Sequence, residues 1–185
     1  MIILKKRIIC ISLFFIFAAA ASGIILKLNS SDSIPVSEIG DSYSSLSTKR
    51  FGWGIKKNKN APPDLPENIK ELLKNYDSYY MDTRGEKRLY LTFDEGYENG
   101  YTGQILDVLK EYNVKAAFFV TKPYIERETE LVKRMLSEGH TVGNHTMNHP
   151  DMTTLSTEKI RDELNGLNKI YNGLTGESMK YMRTP

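Results

Sequence analysis

Between Arg88 and Met182 short apolar, β-prone runs alternate with longer stretches of helical periodicity, and this alternation restricts the fold more than anything else in the chain. Leu89 to Phe93 reads as a buried strand. Thr102 to Tyr112 follows, with Ile105, Leu106 and Leu109 at helical spacing behind a threonine cap. Lys115 to Val120 is a second strand, Glu128 to Glu138 a second helix stopped by Gly139, and His140 to Val142 a third strand. A last long helix opens at Ser156 or Thr157 with Ile160, Leu164, Leu167 and Ile170 as its stripe, and Ser178 to Met182 is a fourth candidate strand. Strands joined through helices must lie parallel, so the pattern predicts an α/β domain built as a barrel or an open parallel sheet. Upstream, Pro66 to Tyr76 reads as a short amphipathic helix behind a proline.

In such folds chemistry collects at the carboxyl ends of the strands. Asp94 and Glu95 stand at the end of the first strand, immediately before Gly96. The chain's 3 histidines all fall between His140 and His149, at the end of the third. His145 and His149 are at i and i+4, but a helix is disfavoured because Pro150 restricts His149 and Gly143-Asn144 reads as a turn, so both rings are expected to flank that turn and converge. Two imidazoles and a carboxylate, with room for water, can hold a catalytic divalent metal. The competing readings are an acidic surface turn and a pair of surface or packing histidines.

The motifs LTFDEG at Leu91 to Gly96, HTMNH at His145 to His149 and MRTP at Met182 to Pro185 resemble the first three signatures of the polysaccharide deacetylases, the carbohydrate esterases of NodB homology. Asp94 to Thr102 and Phe51 to Asn58 further resemble the spore-type peptidoglycan N-acetylmuramic acid deacetylases, also called delta-lactam-biosynthetic de-N-acetylases. The resemblance implies a distorted (β/α) barrel of the NodB type, of which this chain supplies the first part. It implies that Asp94 is the general base, that Arg183 orients it, and that His145, His149 and Glu95 bind a divalent metal, zinc or similar, Glu95 standing where the commonest pattern has aspartate. It implies removal of acetyl from N-acetylmuramic acid in peptidoglycan, with glycan strands as partner and muramic delta-lactam formation in the spore cortex as setting. A chitin- or glucosamine-directed deacetylase and a catalytically inactive wall-binding module are the alternatives. Relatives continue for several strands and end with a histidine that protonates the departing amine. The chain is therefore expected to be an amino-terminal fragment, poorly folded and inactive by itself.

Lys5, Lys6 and Arg7 precede an uncharged apolar run from Ile8 to Leu26. A membrane span needs roughly 17 to 25 residues, so residues 1–27 read as a signal peptide or a membrane anchor, with the rest exported. Residues 28–60 read as a serine-rich linker with an arm around Trp53, and residues 61–185 as the deacetylase domain. With 25 basic against 23 acidic side chains, three of the basic ones within the first seven residues, the domain lacks the basic excess that nucleic acid demands. The 1 cysteine, Cys10, lies in the apolar run, so the remainder forms no internal disulfide and has no thiolate ligand.

Overall fold

The computed structural model describes residues 56–185 apart from residues 60, 62, 77, 83 and 86. The expected leader, the linker and the arm around Trp53 fall outside the described residues, except that Lys56 forms an antiparallel bridge with Asp64. No helix among the described residues is long and apolar enough to cross a membrane.

In order, the described elements are α1 (Glu67–Lys74), β1 (Thr92–Glu95), α2 (Thr102–Glu111), β2 (Ala117–Val120), α3 (Lys122–Arg127), α4 (Thr129–Ser137), β3 (Thr141–Asn144), a 3-10 turn (Met152–Thr154) and α5 (Thr157–Thr175). The strands form a parallel sheet in the order β1-β2-β3. Each connection passes through a helix, as the alternation requires. Ser178 to Met182 contributes a single parallel bridge, Asn144 to Met182, in place of the expected fourth strand. What the described residues present is thus a three-stranded open sheet; the barrel expected from resemblance is not itself seen.

Side chains alternate along each strand, so the register sorts them into two faces. Phe93, Phe118 and Val142 are partners across the sheet and point into the hydrophobic core, where Leu106 and Leu109 of α2, Val132 and Met135 of α4, and Leu167 and Tyr171 of α5 cover them. The opposite row is Asp94, Phe119 and Gly143.

Three local expectations are corrected. Leu89, Tyr90 and Leu91 are not a buried strand: they are 93%, 61% and 41% exposed, and β1 starts at Thr92. The cause is position, since β1 is the sheet edge and among the described residues nothing pairs with its outer side. Thr102 is the first residue of α2 rather than its cap, and its N–H donates to Glu98 Oε1 at 3.2 Å. Gly143 and Asn144 are the last residues of β3 rather than a turn. Sequence reading also passed over α3, a short helix with Pro123 in its first turn. The expected serine cap of α5 is present, Ser156 accepting from Lys159 N–H, and Gly176 ends that helix in the left-handed region.

Candidate active site

Asp94 is brought to the second face of the sheet by β1, and Arg183 reaches it from the other end of the described chain. Arg183 Nη1 donates to Asp94 Oδ1 at 2.8 Å and Nη2 to Thr92 Oγ1 at 2.9 Å. The pair is half-exposed, the Asp94 side chain retaining 45% of its accessible surface. One carboxylate oxygen is thus held while the group stays in reach of solvent. Arg183 is itself fixed through its backbone, its N–H donating to the Asn144 carbonyl at 2.9 Å.

The Arg183 carbonyl in turn meets His145 Nδ1 at 3.0 Å. A carbonyl only accepts, so Nδ1 carries the proton and Nε2 keeps its lone pair for a ligand. His145 is buried, and its ring stands 4.8 Å from that of His149, centroid to centroid, in an edge-on arrangement. The turn that brings the rings together lies after β3. Thr146 and His149 adopt positive φ of 68° and 55°. Asn144 Oδ1 accepts from Thr146 N–H at 2.9 Å while its amide donates to the Leu164 carbonyl at 2.9 Å, and Thr146 Oγ1 accepts from His149 N–H at 3.0 Å. A buried amide and a buried hydroxyl therefore support left-handed backbone that non-glycine residues seldom adopt.

The third histidine takes no part. His140 precedes β3 at the far end of the sheet, its Nδ1 accepts from Ala116 N–H at 3.2 Å, and burial, reinforced by the charge of Lys115, pushes its pKa down. Clustering in sequence thus separated, in space, into a pair and one core residue.

Glu95 departs from expectation. Successive residues of a strand face opposite sides, so with Asp94 directed at Arg183 its neighbour turns to the helix-covered side. It is 8% exposed, and a cleft of about 240 Å³ at the end of β1 is lined by parts of both carboxylate residues together with Tyr97, Glu98, Tyr101 and Thr102. Among the described residues no group of three or more His, Cys, Asp or Glu could hold a metal ion, so the expected triad is not assembled. The donor set at hand is the imidazole pair. Two imidazoles, one with its second nitrogen tied to a carbonyl, fit a divalent metal that completes its shell with water or substrate.

Burial, and then the charges of Glu98 and Asp94, push the Glu95 carboxyl up to about 7. The folded protein therefore holds this proton where the unfolded chain, near 4.5, releases it. The contribution is fully present below pH 4.5 and is lost as pH rises towards 7. Urea unfolding at pH 4.5 and 7.5 is expected to show wild type losing stability relative to Glu95→Gln across that interval, by at most about 3 kcal/mol at 1.36 kcal/mol per tenfold. Parallel pH curves for the two proteins would contradict the burial described.

Comparison with known proteins bears on these residues. The peptidoglycan-N-acetylmuramic acid deacetylase PdaA of Bacillus subtilis is 44% identical over 137 residues, which is 73% of this chain and 52% of that protein. The solved structure of Bacillus subtilis PdaA, a family 4 carbohydrate esterase, superposes with a TM-score of 0.72 at 42% identity, covering 76% of this chain and 61% of that one. A family 4 carbohydrate esterase from Bacillus anthracis gives 0.66 at 42% identity, over 75% and 63%. The chain spans about half the length of the curated relatives it matches. Residues 81–185, which carry Asp94, His145, His149 and Arg183, match the polysaccharide deacetylase family model, and the chain belongs to that family.

Proposed function

We propose that the protein is a hydrolase that removes the acetyl group from N-acetylmuramic acid residues of peptidoglycan. The observation that carries this is the contact of Arg183 with Asp94 at 2.8 Å, made by a residue whose carbonyl also orients His145. Similarity to PdaA, whose name states that substrate, supports muramic acid over glucosamine.

An amide resists hydrolysis because its carbonyl is a weak electrophile and its nitrogen a poor leaving group. Asp94 is the general base, accepting a proton from the attacking water on the oxygen that Arg183 leaves uncommitted. Arg183 fixes the other oxygen, so the base has one orientation. His145 and His149 would hold a divalent metal, which when bound supplies an electrophile for the acetyl oxygen and acidifies water. Thr92 and the backbone of Asn144 hold the arginine in place. The basic, apolar amino terminus directs the protein outward, anchored or secreted, to where the glycan strands lie.

The test supplies the protein, in the form in which the cell makes it, with glycan strands stripped of their peptide stems and with chitooligosaccharides of equal length. Released acetate is measured. Acetate from the muramic strands alone is expected. Acetate from the chitooligosaccharides alone would transfer the reading to glucosamine, and retention of strands with no acetate from either would leave a wall-binding module.

A further inference from the structure

We propose that Phe119 is a positioning residue for the Asp94–Arg183 pair, its ring being the platform on which the guanidinium lies. This rests on the reading of Asp94 as the base. The register makes Asp94, Phe119 and Gly143 partners across the three strands, so they share the face that the core does not occupy. Phe119 is 8% exposed, yet it stands outside the hydrophobic cluster that takes its neighbours Phe118 and Val120.

Gly143 is its partner on β3. A Cβ there would stand 2.6 Å and 2.7 Å from Phe119 Cδ1 and Cε1, and 3.2 Å from the Tyr181 carbonyl, so glycine is what lets the ring and the tail lie against β3. Arg183 also lies against the ring, its Cζ 4.4 Å from the ring centroid. A half-exposed ion pair by itself contributes little. Stacked on an aromatic face, the planar guanidinium keeps both Nη atoms directed at β1, where Asp94 and Thr92 accept them. Arg183, in other words, is aimed by Phe119, and Asp94 by Arg183.

The test incorporates mono-, di- and trifluorinated phenylalanine at position 119, which withdraws charge from the ring face while nearly preserving its shape. We expect kcat for acetate release to fall with each fluorine, by about fivefold to tenfold at three, as the cation loses its electrostatic partner. KM and thermal stability should stay within about twofold and about 2 °C, because contact area and packing are unchanged. The stack is also read without turnover, as an upfield ring-current displacement of the Arg183 side-chain protons that Phe119→Leu removes. A kcat that stays flat through the series in an active protein overturns the proposal, as do undisplaced Arg183 protons in the wild type. An unsubstituted protein with the displacement intact but no acetate release overturns the proposed function, and the positioning role with it.

Discussion

Asp94→Asn is expected to lower kcat/KM for acetate release by about 10²–10⁴-fold, the range that a positioned general base contributes. The substitution is chosen for what it leaves in place. An asparagine oxygen still accepts from Arg183 Nη1, so the contact that ties the tail of the chain to β1 survives, and with it the carbonyl that orients His145. Because the pair is half-exposed, thermal stability should change by less than about 1 kcal/mol. Glycan binding should likewise persist, since only the proton acceptor has gone. Acetate release and strand retention, measured on the same preparations, separate the readings. A variant that releases acetate at the wild-type rate would remove Asp94 from the mechanism, and the base would have to be sought elsewhere in the cleft.

The second large effect concerns stability. Phe118→Ala is expected to cost about 3–5 kcal/mol, the usual range for emptying a buried phenylalanine site. Phe118 is fully buried on the middle strand, stacked on Phe93 with centroids 4.9 Å apart and meeting the His140 ring edge-on at 5.4 Å. Its register partners on the two outer strands are Phe93 and Val142. Since domains are stable by only about 5–15 kcal/mol, the loss would leave a large unfolded population, visible as a fall in the urea midpoint. Phe118→Leu, which keeps most of the volume, should lose markedly less. A loss below 1 kcal/mol for alanine would mean that the core has its centre elsewhere.

Much of this arrangement was legible in the residues. The alternation of periods gave the parallel direction of the strands, though not their order, and the ordered motifs singled out Asp94, His145, His149 and Arg183, which the structure brings into two contacting pairs joined by the arginine. What was not legible depended on phase and packing. Reading the first strand to end at Phe93 left Asp94 and Glu95 together in a turn, free to point the same way. The strand runs through Glu95, and that shift of boundary sends the two carboxylates to opposite faces. Gly143 looked like a turn residue because a glycine before an asparagine commonly is one, whereas here it makes room for a neighbouring ring, a reason that exists only once β2 and β3 are side by side. Leu89 to Leu91 have the composition of a buried strand, and composition cannot tell that a strand will stand at an edge.

The bond between Arg183 and Asp94 joins residues 89 positions apart. On a ribosome adding roughly 5–20 residues per second, the aspartate emerges on the order of ten seconds before the arginine that aims it, and the carbonyl that orients His145 arrives with that same arginine. A nascent chain therefore carries Asp94 and the two imidazoles for a time without the residue that brings them into one geometry. The candidate site is assembled only once Arg183 has been made, so a chain interrupted before that residue carries an unarmed site.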